Sequence, residues 1–348
     1  MKHYFSSFIA ILLLNSCVKD KPQEPISSAV SINAEAKVLV INEGNYGWNN
    51  GNGNSSISVY DPTSGAVIED YYKQQNPTKN LGDVCQSMTK YNNNYYIIVN
   101  NSHKIEVVDA SDFKNKATIN GLNSPRYFLP ILYNKAYVSD LNQNSIYIIN
   151  LNSNTISGSI PCMKGTEQMA LIYNKAFITN ENSDYCYVIN TINDVITDSI
   201  LVGKGASSIV IDKNSSVWVL SGGSSSASQA GKLQKINPIS LQIEQTLNFN
   251  TSEYPSHLCI NKTHDTLYYI NSDVFQLPIA NTQLPNNPII LHGTKIFYGL
   301  GVNPKDYHIY VSDAIDYVQK STIEIYSTAG NLITKFNAGH ISNGFMFE

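Results

Sequence analysis

A short apolar-aromatic strand recurs along this 348-residue chain at intervals near forty residues, and that repeat leaves few folds open. Its copies are Val38-Leu39-Val40-Ile41, Tyr95-Tyr96-Ile97-Ile98, Ala136-Tyr137-Val138-Ser139, Ala176-Phe177-Ile178-Thr179, Val217-Trp218-Val219-Leu220, Leu267-Tyr268-Tyr269-Ile270 and His308-Ile309-Tyr310-Val311. The starts at 38, 95, 136, 176, 217, 267 and 308 give steps of 57, 41, 40, 41, 50 and 41 residues. The two long steps hold insertions: Asn45–Asn54 with Gln74–Asn80 in one, Gly222–Gly231 in the other. Several short strands per repeat, with almost no helical periodicity, are the arithmetic of a β-propeller, one blade per unit. An open sandwich of many strands would not produce so regular a period.

Each unit has one internal order. An inner strand leads through a turn such as Tyr133-Asn134-Lys135 or Tyr173-Asn174-Lys175 into the recurring strand. A third strand follows, such as Ile105-Glu106-Val107-Val108-Asp109 or Ile146-Tyr147-Ile148-Ile149-Asn150, and an outer strand such as Thr155–Ile160 ends the unit. Asp or Asn closes the third strand because these side chains bond to their own backbone and start tight turns. The first unit lacks an inner strand, while Ile341-Ser342-Asn343-Gly344-Phe345-Met346-Phe347 resembles one standing alone. The expected fold is therefore all-β: a seven-bladed β-propeller over 38–348, closed by strand 341–347 joining the first blade. That closure removes two exposed sheet edges.

The N-terminal residues read as export signals. Lys2 and His3 precede the apolar run Phe8–Leu14, which is signal-peptide length and too short to span a bilayer. Leu14-Asn15-Ser16-Cys17 resembles a bacterial lipobox, so residues 1–16 are expected to be a lipoprotein signal peptide and Cys17 the lipidated first residue. Two or three acyl chains anchor stably where one is marginal. Residues 17–37, polar and punctuated by Pro22 and Pro25, read as a tether. Val18, where an Asp would signal retention in the inner membrane, favours the outer membrane. Lys19-Asp20-Lys21 loosely resembles the charged export signal of Bacteroidetes surface lipoproteins and points to the cell exterior, with the periplasmic face the alternative.

Composition narrows the partners. Charged residues make up 14% of the chain and the net charge is −4, without the basic face of a nucleic-acid binder. The 23 tyrosines suit half-buried strands and wet binding surfaces, combining an apolar ring with a hydroxyl. Cys85, Cys162, Cys186 and Cys259 are far apart and form no CxxC, so buried free thiols are expected, with Cys162 and Cys186 the pair to test for a bridge.

A binding site is expected where loops converge around the propeller channel. Asn42, Glu43, Tyr46 and Trp48 belong to a long Gly/Asn loop whose flexible backbone and aromatic anchors suit ligand capture. Asp83, Asn101, His103, Arg126, Tyr127, Glu167, Asn182, His257, Tyr298 and Asp313 are placed at the same mouth, with Asn100, Asp140, Asn180, Asn271 and Asn343. Together they form a polar, aromatic, nearly neutral surface fit for a polar organic ligand. No GxSxG, HExxH, P-loop or EF-hand pattern occurs, no cofactor is called for, and Asp313 with Asp316 is a weak calcium pattern.

The repeat, with VINEGNYG, SISVYDPTSG, LGDV, YYIIVNNSHKIEVVDA and NSPRYF, resembles the YncE-like seven-bladed propeller lipoproteins of Bacteroidetes. Within that family it is similar to the surface cobalamin-capturing, BtuG-type lipoproteins. The resemblance implies capture of a corrinoid or another scarce nutrient and its delivery to a TonB-dependent outer-membrane receptor, the only membrane contact being the lipid anchor. Cys85, where the family pattern leads one to expect glycine, and the insertion in the fifth unit depart from it near the mouth. The competing classes are a protein-interaction or adhesion platform and a propeller hydrolase or lactonase. Glu43, Asp83 and Glu167 are the carboxylates that the hydrolase would use.

Overall fold

The structure is a computed structural model and describes residues 37–47, 52–132 and 134–348. The expected signal peptide 1–16, Cys17, most of the expected tether and Trp48 lie outside the described residues. Among these, the chain forms seven small antiparallel sheets, the blades of a β-propeller. Blade two runs from Cys85–Tyr91 to Asn115–Ile119 and blade three from Pro125–Ile131 to Thr155–Pro161. Blade four runs from Thr166–Ile172 to Val195–Leu201, and blade five from Ala206–Ile211 to Ile243–Asn248. Blade six begins at Ser256–Ile260, and blade seven runs from Phe297–Val302 to Leu332–His340.

Blade one is assembled from both ends of the described chain. Ser342–Phe347 is its inner strand and pairs antiparallel with Val38–Asn42, Val38 opposite Phe347 and Val40 opposite Phe345. Ser56–Tyr60 and the two-residue strand Val67–Ile68 complete it. The expected closure is therefore present. Asn42 locks the seam: its amide nitrogen donates to the Ser56 carbonyl and Ser58 Oγ, and its Oδ1 accepts from Gly339 N and Ser342 Oγ.

The core is divided among the gaps between blades. Seven apolar clusters each draw on two neighbouring blades, and the cluster of Val38, Val40 and Tyr60 with Tyr310, Ile323 and Ile325 joins blade seven to blade one. The second strand of a blade is therefore buried on both faces. It reads as an unbroken apolar run rather than an alternating one. Outer strands such as Val195–Leu201 are mostly exposed and carry a weaker pattern.

The insertions take specific forms. Within 74–80 and just before it, Tyr71–Gln75 makes one helical turn, started by Asp70 accepting from Lys73 N at 3.0 Å, and buries Tyr72 beside the truncated outer edge of blade one. Ser224 and Gln229 exchange backbone bonds of 2.9 Å, so the Gly/Ser insertion is a small hairpin. Blade six has three strands, ending in Asp273–Pro278, and an isolated bridge from Val274 to Ile290 stands where other blades have a fourth. All four described cysteines are free thiols, and no bridge joins Cys162 to Cys186.

Candidate functional site

Every inner strand carries a bulge near its start. In blade two, Cys85 opposes Val99 but Ser87 opposes Ile98, which leaves Gln86 unpaired with the ladder. The same slip occurs at Pro125/Phe128, Thr166/Met169, Ala206/Ser208, Ser256/Cys259, Phe297/Gly299 and, across the closure, Ile41/Asn42. A bulge bends the strand and re-aims one side chain. The residues so placed are Gln86, Arg126, Glu167, Ser207, His257, Tyr298 and Asn343, and all seven line one cavity of about 450 Å³. One side chain per blade thus forms a ring within the channel.

Two linked sets of hydrogen bonds, joined at Gln86, tie Arg126, Glu167, Asn343 and Tyr298 of the ring to Glu43. Arg126 Nε donates to Glu167 Oε1 at 2.8 Å, and its Nη1 donates to Gln86 Oε1. Asn343 Nδ2 donates to Glu43 Oε1 at 2.8 Å and to the Gln86 carbonyl at 2.9 Å. The Tyr298 hydroxyl points at both Glu43 oxygens at 3.3 Å. The His257, Tyr298 and Tyr317 rings form an arc, with centroids 5.9 and 5.5 Å apart, and His257 Nδ1 meets Ser256 Oγ at 2.9 Å.

Burial sets the charges. Glu167 is 2% exposed, and desolvation pushes its carboxyl up to about 7 although Arg126 opposes the shift. Desolvation likewise raises Glu43, against the hydrogen bond from Asn343 and the charge of Arg126. His257 is pulled down to about 4 by burial and is neutral at pH 7. Asn343 Oδ1 is buried without a partner. Perturbed ionisable groups around a cavity mark candidate sites, though structural networks can perturb them too.

The residues expected at the mouth separate into two sets. Glu43, Arg126, Tyr127, Glu167, His257, Tyr298 and Asn343 do line the cavity. Others hold loops. Asp83 accepts from Gly47 N at 3.0 Å and from Asn101 Nδ2 at 2.5 Å, pinning the first loop to blade two. From that loop Tyr46 projects 79% exposed, while Asn45 Nδ2 reaches the Tyr317 carbonyl at 2.9 Å. Gly44 at φ +81° has no room for a side chain against Asn54 and Ser55. His103 is exposed and meets the Asn123 carbonyl, and Asn182 is exposed in a turn held by Asn180.

Asn42, Asn100, Asp140, Asn180, Asn271 and Asp313 stand at or just past the ends of the second strands. Asp140 accepts from Ser124 N at 2.6 Å, and Asp313 accepts from Ile296 N and Ile315 N, both at 2.9 Å. Asp316 is occupied by the Val318 and Gln319 amides of its own turn. Among the described residues no three His, Cys, Asp or Glu side chains gather as a metal would require. Sequence reasoning missed Gln86, Gln168, Glu181 and Ser207 in the cavity wall. Aligning the inner strands on their first paired residue would have found Gln86 and Ser207, because each stands second in its strand.

Comparison with solved structures agrees on the fold. A quinoprotein alcohol dehydrogenase-like protein of Bacteroides thetaiotaomicron matches with a TM-score of 0.70 at 13% identity, over 90% of this chain and 78% of the other. A protein of unknown function from Desulfotomaculum acetoxidans gives 0.68 at 11% identity, over 90% and 98%. A candidate 6-phosphogluconolactonase of Bacteroides fragilis gives 0.66 at 12% identity, over 91% and 98%. At such identities the likeness is one of propeller architecture alone. No curated protein matches the chain in sequence. A family model does match, covering residues 37–347 and so the whole described propeller: the chain belongs to the family described as a domain of unknown function, DUF5074.

Proposed function

We propose that this protein is a lipid-anchored binding propeller. It captures a polar organic ligand at the seven-sided ring and passes it to a TonB-dependent receptor in the outer membrane. The observation that carries the reading is the ring itself, in which seven bulges turn one side chain per blade into a single cavity of about 450 Å³. That volume lies within the range of roughly 300–1,000 Å³ typical of small-molecule sites. Glu43 of the cavity wall opens the loop that Asp83 holds and that carries the exposed Tyr46, a second contact for ligand on this reading. Cys17 and the following tether supply the anchor and reach.

A corrinoid is the first candidate, on the sequence resemblance. Its macrocycle and nucleotide arm are larger than the cavity, so it would lie across the mouth with one peripheral group in the ring. Calorimetry of the full chain in detergent with cyanocobalamin tests this. Heat saturating at micromolar ligand is expected, and folded protein giving no heat overturns the corrinoid assignment.

One observation favours a hydrolase as the second reading: Glu167, held near 7 in a cavity, has the proton affinity of a general acid or base. Acid release from a panel of lactones, abolished by Glu167→Gln, would support it. Full engagement of Glu167 by Arg126 speaks for the binding reading instead.

A further inference from the structure

The charges on the cavity wall are unbalanced. Among the described lining residues Glu43, Glu167 and Glu181 face a single cation, Arg126, and no lysine lines the cavity. Arg126 is already committed, with Nε on Glu167 and Nη1 on Gln86. Glu43 is held only by neutral donors, Asn343 Nδ2 and the Tyr298 hydroxyl. An acceptor, Asn343 Oδ1, is buried beside them with no partner. The wall therefore offers hydrogen-bond acceptors and negative potential, with the rings of Tyr298 and His257 at one side.

We infer that the group entering the ring is an organic cation, a protonated amine, whose ammonium is received by Glu43 and the free oxygen of Asn343, with Glu181 adding negative charge to the same cavity wall. Three physical arguments converge. Glu43 feels Arg126 only at a distance and is hydrogen-bonded by neutral groups alone, so an ammonium supplies a direct cationic partner with three donors. A cation beside the faces of aromatic rings gains a further attraction. An anion, such as a carboxylate or phosphate ester, meets three carboxylates against one arginine on the cavity wall and is repelled. Burial raises Glu43 and Glu167 in the empty ring, and a bound ammonium reverses that cost. The inference rests on the capture reading and replaces its first candidate, because the peripheral groups of a corrinoid are neutral amides and a phosphodiester and none is an ammonium.

The test uses two probes with the same carbon spacer and opposite charge, putrescine and adipate. They are titrated by calorimetry into the full chain in detergent at pH 8. Putrescine should bind and adipate should not, and Glu43→Gln should weaken putrescine roughly tenfold or more. If Glu43→Gln does not fold, Glu181→Gln carries the same expectation. Adipate binding as tightly as putrescine, or putrescine affinity indifferent to a folded variant, overturns the inference. Ser207→Trp, which fills the ring, separates the two readings. A corrinoid blocked by that variant, with no preference of the protein for amine over acid, leaves capture standing and removes the charge inference. Absence of binding by corrinoid and both probes removes both.

Discussion

Asn42 lies fully buried between the two halves of the split blade, and every polar atom of its side chain is used. Buried amides are costly unless bonded on all sides, and the cost reappears when one partner is deleted. Asn42→Ala leaves Gly339 N and Ser342 Oγ without their acceptor at the seam. It should lower stability by about 3 kcal/mol, at the upper end for loss of buried polar partners. The check is a shift of the urea midpoint at unchanged slope. His257 gives a prediction of a different kind. Its folded value near 4 lies below the ordinary 6.5, so the stability it contributes is complete above pH 6.5 and is lost as pH falls through 4. Wild type should therefore lose about 2 kcal/mol relative to His257→Gln between pH 7 and pH 4, discounted from a full linkage of about 3 kcal/mol because the side chain keeps some exposure. Melting curves of the two proteins across that range decide it, and parallel curves would remove the buried neutral imidazole.

Elements differ in how plainly the chain announces them. The second strands, such as Asn94–Val99 and Val217–Ser221, are buried on both faces, so selection for apolar side chains at every position wrote them as continuous runs. The closing strand was legible because Phe345 and Phe347 stand isolated after the last repeat. Both pack against Tyr310 of blade seven. The site was half legible. Polar and aromatic residues near strand starts were recognised as mouth residues, and Arg126, Glu167, His257 and Tyr298 prove to line the cavity. What could not be read was the bulge, a backbone irregularity that any residue type can occupy: Ser207 and Gln86 look like ordinary polar strand residues. The Asp and Asn residues at the second-strand ends were read as mouth groups for the same reason. The side chains of Asp140, Asn180 and Asp313 are spent on the amides of neighbouring turns, a use that sequence does not distinguish from display. Deleting Ser342–Glu348 tests the closing strand. It exposes Val38, Val40 and Tyr310 and unpairs an entire edge, a loss comparable with the whole net stability of about 5–15 kcal/mol. The truncated protein should lose its cooperative melt and aggregate by size-exclusion chromatography, and supplying the peptide 342–348 in trans should restore part of both. A cooperative monomer after truncation would mean that the seam contributes little.

At the scale of the molecule, a closed ring of seven blades gives a rigid site with no sheet edge to open at the seam, and its ligand can enter only from an end of the channel. Such a site gains from being held at one distance from a membrane receptor. On the proposed anchoring at Cys17, the polar residues 17–36 would set that distance. On the proposed reading, such tethering would raise the effective concentration of the propeller at a membrane receptor to about the millimolar range without any new contact. Capture and delivery should therefore separate genetically. Cys17→Ser should release the protein from the membrane fraction while leaving ligand affinity at the ring unchanged. Uptake of a limiting ligand by cells carrying that variant should fall as far as in a deletion strain. Shortening the tether within residues 22–34 should reduce uptake while membrane attachment persists, because the ring can then no longer reach its partner. Uptake that survives both changes would place the receptor contact on the propeller surface itself and leave the anchor with no part in delivery.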